Sequence, residues 1–337
     1  MYVFKAAILE QLNSPLTIKE ISCNDPEQGQ VFVKILTSGL CGAQLQEIAG
    51  LKGNGNFLPH LLGHEGCGIV EKIGPAVTKV KVGDKVVLHW KKSDGMESAF
   101  PTYYCEDKKI GGGKVTTLSE YSLVSENRLT VVDQNTPTEL GALLGCGLST
   151  ALGTINYEIN LKFGESILIL GAGGLGLNLI QAARLAGAFP IVVLDINDKS
   201  ELCSKLGASK FVKNISEIDL KGFDSIVDTT GNKNLIRDTL PLLNDSGRYI
   251  FVGQNKPGES IELLNSNHLF GLEGKSIKAT QGGNIYPAKD IKRYANLHQS
   301  NYIDYESIIT HRFSLDQIND AFDILKNGNA GRIIVNM

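Results

Sequence analysis

Between Ser166 and Asp195 the polarity of the chain changes period twice. Ile167–Leu170 is wholly apolar and short, which predicts a strand buried on both faces. Leu175, Leu177, Leu179, Ile180, Ala183 and Leu185 then recur at helical intervals, and Gly187 predicts the helix stop. Ile191–Leu194 is a second apolar run and ends on Asp195. The alternation continues: Leu202 and Leu206 predict a helix stopped at Gly207, Phe211-Val212 a strand, Phe223–Asp228 a core strand, residues 235–243 a helix, and residues 247–253 and 276–280 two more strands. Strands alternating with helices predict an α/β fold of Rossmann type, a doubly wound parallel sheet whose ligands sit outside the carboxyl ends of its strands. Asp195, Thr229 and Gly253 lie at such ends.

The flanking segments have a different pattern. Residues 5–9, 16–18, 31–36, 66–73, 85–88, 121–124 and 129–132 predict short strands, with Asn13-Ser14-Pro15 a turn. Leu45 and Ile48 have helical spacing, which Gly50, Gly53 and Gly55 break. Residues 89–121 show no period and predict a long irregular loop of the kind that lines binding sites. Asn135-Thr136-Pro137-Thr138 predicts a capped helix start with Glu139 in the first turn. Near the end, Ser314 and Gln317 have capping-box spacing before a helix carrying Ile318, Ala321, Phe322 and Leu325, and residues 332–335 predict a closing strand. The expected organisation is a β-rich domain over 1–148, completed by 281–337, with the nucleotide unit 149–280 inserted between them.

Composition narrows the classes. A chain of 337 residues exceeds what one core usually supports, so two domains are expected. A net charge of −3 offers no basis for a nucleic-acid partner. No basic segment followed by a long apolar run opens the chain, and no apolar run reaches the length of a membrane span. Six scattered cysteines do not form a disulfide framework. A soluble cytoplasmic protein without a membrane partner is expected.

Gly171, Gly173 and Gly176 have the G-x-G-x-x-G spacing directly after the first strand of the βαβ unit. Gly171 suits the tight turn, Gly173 the approach of backbone to a pyrophosphate, and Gly176 close packing of helix on strand. Gly174 and Leu175 open the helix, whose free N–H groups and dipole attract phosphate. Asp195, nineteen residues past Gly176, is placed to accept hydrogen bonds from an adenosine ribose, which favours NAD over NADP.

Cys41, His64 and Cys146 form a candidate Cys₂His zinc set with the fourth position free for substrate. They lie 23 and 82 residues apart, so no local ligand spacing joins them. Taken singly, each reads better as a buried cysteine or a structural histidine than as a ligand.

The residues around them form a longer pattern. Gly39-x-Cys41-Gly42, Gly63-His64-Glu65-Gly66-x-Gly68-x-Val70, Val82-Gly83-Asp84-x-Val86 and Gly145-Cys146-Gly147-x-Ser149-Thr150 precede the nucleotide fingerprint in that order. Asp228-Thr229-Thr230-Gly231, Gln281-Gly282-Gly283 and Ile318-Asn319-x-Ala321-Phe322 follow it. Over essentially its whole length the chain resembles the zinc-dependent alcohol dehydrogenases of the medium-chain dehydrogenase/reductase superfamily. The resemblance implies a GroES-like catalytic domain around a Rossmann domain, usually in dimers or tetramers. It also implies one catalytic zinc held by Cys41, His64 and Cys146, with Glu65 beside the metal or as an alternate ligand. Gly253 and Gln281 would line the nicotinamide, and Arg332 would reach the cofactor pyrophosphate.

Two departures stand out. The loop that in many relatives holds four cysteines around a second, structural zinc contains only Cys105 here. Where relatives pass the substrate proton through a Ser or Thr, an Asp and a His, this chain has Ala43, Gln44 and Gln46, none of which is a general acid or base near neutral pH. Glu47, Lys52, His89 and the tyrosines of the long loop are the candidate replacements. The expected activity is zinc-assisted hydride transfer between an alcohol and NAD. The loop residues His89, Trp90, Lys91, Lys92, Asp94, Tyr103 and Tyr104 lean towards a polyol, sugar or cyclitol. The rival is an NAD-binding protein with a redox-neutral or sensing role, favoured by Ala43.

Overall fold

The computed structural model describes residues 1–53, 55–262, 266–271 and 273–337. The chain forms two compact units. One comprises Met1–Ser149, Tyr286–Asn301 and Ile309–Met337; the other comprises Thr150–Ile285 and Tyr302–Ile308.

The first unit is built on two sheets. Strands Tyr2–Leu9, Thr17–Cys23, Thr102–Cys105, Lys108–Gly111 and His60–Leu61 close into a barrel. Phe4, Ile8, Ile21, Phe32, Tyr103 and Ile110 belong to one buried cluster there. A seven-stranded sheet is centred on the long strand Gln30–Leu40, which pairs antiparallel with Glu65–Ile73, Tyr121–Ser125 and the closing strand Arg332–Asn336. Pairing of Ile333 with Leu40 and Ile334 with Gly39 brings the end of the chain to the segment that leads into Cys41. The predicted capping box is present: Ser314 N–H donates to Gln317 Oε1 at 3.1 Å, and helix Ile318–Lys326 follows.

The second unit is a six-stranded parallel sheet. Its first strand, Ile167–Leu170, lies between Ile191–Leu194 and Phe223–Asp228. Strand order therefore reverses there, which is the switch point where such sheets bind ligands. Leu168, Leu170, Val192, Phe223, Ile226 and Tyr249 are buried together in its core.

Several expected elements differ. Residues 89–121 are not one irregular loop. Thr102–Cys105 and Lys108–Gly111 form an antiparallel hairpin, and Tyr104 pairs with Ser22 of the barrel. The polar, four-residue strands carry too little alternation to read locally; barrel closure and the burial of Tyr103 order them. The helix expected over 235–243 is Lys233–Thr239, because Pro241 turns the chain into a 3₁₀ segment, Leu240–Leu242, before the next strand opens at Leu243. The helix after Thr136 starts at Thr138 with Pro137 at its cap position and no side-chain cap. Helix Pro287–Gln299 has no counterpart in the polarity reading, although Pro287 at its start and buried Ile291, Tyr294 and Ala295 mark it. Among the described residues no single helix is long and apolar enough to cross a membrane.

Candidate metal centre and dinucleotide site

Three turns of the first unit bring Cys41, His64 and Cys146 together. Cys41 caps helix Gly42–Ile48, His64 precedes strand Glu65–Ile73, and Cys146 separates helix Thr138–Leu144 from Gly147–Gly153. One donor atom from each lies within 4.8 Å of the other two. Two thiolates with one imidazole are donors that zinc accepts, and one ion with zinc–sulfur bonds of about 2.3 Å would fit such a span. Among the described residues this is the one convergent group of His, Cys, Asp and Glu donors.

Local structure fixes the first ligand. Gln44 Oε1 accepts the Cys41 N–H at 2.8 Å, and the Cys41 side chain accepts the Gln44 N–H in return. The C-x-x-Q spacing is a capping box with sulfur in place of a hydroxyl, a signal that was available in the sequence. The hydrogen bond between the two sulfurs holds Cys41 well below the usual thiol range and pushes Cys146 up, with burial raising both. For His64, burial lowers the imidazole pKa but the Cys41 sulfur outweighs it, so the net shift is upward.

Glu65 is not one of the convergent donors. It is fully buried, and its oxygens are engaged by Arg332 Nη2 and by the Gly147 N–H, the latter at 3.2 Å. Burial raises its pKa against the pull of Arg332. Arg332, expected at the cofactor pyrophosphate, is 4% exposed and ion-paired with Glu65, because a buried carboxylate requires a cation. The pair needs glycine at position 39, where a Cβ would lie 2.8 Å from Glu65 Cδ and 3.0 Å from Arg332 Nη2.

Two candidate replacements for the proton relay are committed elsewhere. His89 is buried; its Nδ1 lies 2.7 Å from Lys91 O and its Nε2 3.0 Å from Thr130 Oγ1. Burial pushes it down to about 4. Tyr103 lies in the barrel core and accepts the Leu123 N–H at 2.8 Å. Lys52 is exposed and Glu47 half-buried. Of the other loop groups, Lys92 pairs with Glu97, Asp94 accepts from Tyr286, Trp90 packs against an apolar cluster, and Cys105 packs against the barrel core.

In the second unit the expected nucleotide residues cluster at the carboxyl ends of the strands. Gly171 has φ +94°, and a Cβ there would meet Thr229 Oγ1 at 2.5 Å. A Cβ at Gly176 would lie 1.8 Å from Gly171 O, so helix Gly174–Leu185 packs on the strand only with glycine there. At Gly173 a Cβ would meet nothing within 4 Å. Gly173 caps the helix without a side-chain hydrogen bond, which leaves the amides of Gly174 and Leu175 to a ligand. Asp195 accepts from the Ala172 N–H at 2.6 Å and the Asn197 N–H at 2.8 Å, which ties the acid expected at the ribose to the glycine turn. Lys199 Nζ donates to Ala172 O at 3.1 Å, and Asp198 is held to about 2 by Lys213 and Ser200. Thr229 Oγ1 donates to Leu170 O at 2.8 Å. Gly253 N–H donates to Asp228 O at 3.0 Å, and exposed Gln281 precedes a turn at Gly282–Asn284.

A metal-binding catalytic domain and a dinucleotide-binding domain in one chain define the class of a nicotinamide-dependent oxidoreductase. Residues 27–134 match the alcohol dehydrogenase GroES-like domain family, and residues 174–300 match the zinc-binding dehydrogenase family. The chain is 30% identical to S-(hydroxymethyl)glutathione dehydrogenase of Saccharomyces cerevisiae, over 98% of this chain and 95% of that one. It is 29% identical to alcohol dehydrogenase 6 of Peromyscus maniculatus, over 98% and 97%. Benzyl alcohol dehydrogenase from Acinetobacter calcoaceticus superposes with a TM-score of 0.90 at 25% identity, over the full length of both chains. The chain belongs to the zinc-type alcohol dehydrogenases of the medium-chain dehydrogenase/reductase superfamily, oxidoreductases that act on CH–OH groups.

Proposed function

We propose that the protein is an NAD-dependent dehydrogenase of a small-molecule alcohol carrying one catalytic zinc per chain. The convergence of Cys41, His64 and Cys146 within 4.8 Å is the observation that carries this reading. Bound zinc supplies Lewis-acid polarisation of an alcohol oxygen, and bound NAD supplies the hydride acceptor. The protein's part is to hold them. Cys41, His64 and Cys146 ligate the ion, while Glu65 and Arg332 form a charge-balanced layer beside the ligands. The open turn at Gly173 and the first amides of its helix take the pyrophosphate, and Asp195 takes the ribose hydroxyls. Thr229, Gly253 and Gln281 line the nicotinamide end.

The substrate is a hydroxyl-rich alcohol. Of the loop residues that lean towards a polyol, sugar or cyclitol, His89, Tyr103, Asp94 and Lys92 have partners within the fold. The reading includes a cytoplasmic homo-oligomer, dimer or tetramer, which light scattering and fractionation test. Alcohol-dependent reduction of NAD that is lost on chelation and restored by zinc is the expected outcome; turnover unaffected by chelation contradicts it. Ala43 and the locked ring of His89 favour one rival, a redox-neutral or sensing protein. In that case NAD stays bound through gel filtration and no net NADH accumulates.

A further inference from the structure

Ser38 is fully buried on the strand Gln30–Leu40, three residues before Cys41. The register of that strand against Glu65–Ile73 shifts between Ile35 and Thr37, and the last pair of the ladder is Ser38 with Gly66. Such a shift re-aims the side chains beyond it. Here the Ser38 hydroxyl crosses to the neighbouring strand, where Oγ donates to Glu65 O at 3.1 Å. The Thr117 hydroxyl, also fully buried, lies 2.7 Å from Ser38 Oγ. A serine has one proton to give, so Thr117 donates to Ser38 and Ser38 to Glu65.

The same threonine grips the other side of His64. The Thr117 and Leu118 N–H groups both donate to Leu62 O at 3.2 Å. Gly63 has φ +97°, and a Cβ there would lie 2.4 Å from Thr117 Oγ1. The histidine is thus held before by Leu62 and Gly63 and after by Glu65. The turn of the third ligand rests on the same residue, since a Cβ at Gly145 would lie 2.8 Å from Glu65 Cα. We propose that the Thr117–Ser38 hydroxyl pair is a positioning element of the metal centre: by fixing the backbone at Glu65 it sets the spacing of Cys41, His64 and Cys146, and with it the zinc affinity and the ligand geometry. The inference rests on the zinc reading of that trio and extends it to two residues outside the ligand set. Removing a group that orients metal ligands costs about ten- to a hundredfold in affinity.

The test needs no turnover. Zinc affinity is measured by competition with a chromophoric chelator. The visible spectrum of the cobalt(II)-substituted protein reports site geometry and thiolate ligation. Ser38→Ala is expected to bind zinc about tenfold more weakly and to shift the cobalt bands. Thr117→Val keeps the shape without the hydroxyl and should move the same way, while Thr117→Ser keeps the hydroxyl and should stay close to wild type. Ser122→Ala is the control. It removes another buried hydroxyl pair of the same unit, with Thr116 at 2.9 Å, and should leave zinc affinity and the cobalt spectrum unchanged whatever its melting temperature. Wild-type affinity and spectrum in Ser38→Ala, or Thr117→Val and Thr117→Ser that behave alike, overturn the proposal and leave the zinc reading intact. An equal loss of zinc in Ser122→Ala overturns it in favour of general destabilisation. If Ser38→Ala does not fold, the two Thr117 variants decide. A wild type that holds no zinc removes the underlying reading and this proposal with it.

Discussion

Arg332 donates to Glu65 across 267 residues of sequence, and both side chains are buried. The closing strand brings the arginine to Gly39, the histidine turn brings the glutamate, and the glycine leaves room for both. The arginine's charge also adds to the lowering of the Cys41 thiol and opposes, without reversing, the rise at Cys146. Removing one member of a buried pair strands the other. Arg332→Leu is expected to cost about 3–5 kcal/mol, and Glu65→Gln with Arg332→Gln together less than the sum of the two single changes. Denaturant unfolding of the zinc-loaded proteins measures this. Additive costs would show that the pair is not coupled.

A second carboxylate ties the turn at residues 78–79 to the loop at Met96. Glu126 is buried and accepts the N–H groups of Lys79 and Met96, each at 2.6 Å, and that of Thr78 at 2.5 Å. Glu126→Ala leaves three amides without their acceptor and is expected to destabilise the protein by about 2 kcal/mol or more. Thermal unfolding reads the effect, and a melting point within a degree or so of wild type would contradict it.

Position 173 separates ligand binding from folding. Gly173→Val meets open space and its backbone is extended, so the melting temperature should hold while NADH affinity falls about tenfold or more. Gly176→Ala places a methyl 1.8 Å from Gly171 O and should lower stability itself. Fluorescence titration with NADH and thermal unfolding distinguish the two. Unchanged NADH affinity in Gly173→Val would remove the pyrophosphate from this turn.

His89 makes stability depend on pH. Burial depresses its folded-state value to about 4, below the ordinary histidine range, so the native ring stays neutral where the unfolded ring takes a proton. Its contribution is fully present above pH of about 6.5 and is progressively lost as pH falls towards about 4, for a total of about 3 kcal/mol. His89→Gln should flatten that part of the stability curve. An unchanged slope in the variant would assign the titration to another group.

The legible and illegible parts of the molecule divide by range. The nucleotide unit could be read because its evidence is local: Ile167–Leu170, the glycines and Asp195 fall within one βαβ unit whose period changes are visible in a single window. The metal trio could not be read from spacing, since Cys41, His64 and Cys146 are joined only by folding; the resemblance supplied it. Tertiary pairings were the least visible. Nothing near Arg332 marks Glu65 as its partner, the strands around Tyr103 exist because the barrel closes on them, and His89 looks like surface chemistry until the strand Lys85–His89 buries it.

The most direct measurement is zinc per chain by elemental analysis, on wild type and on Cys146→Ala. About one zinc in the wild type and little in the variant is the predicted result, since loss of one thiolate leaves two donors where three converge. Wild-type protein without zinc, or a variant that binds as much as wild type, would contradict the Cys41, His64 and Cys146 centre and the dehydrogenase mechanism built on it.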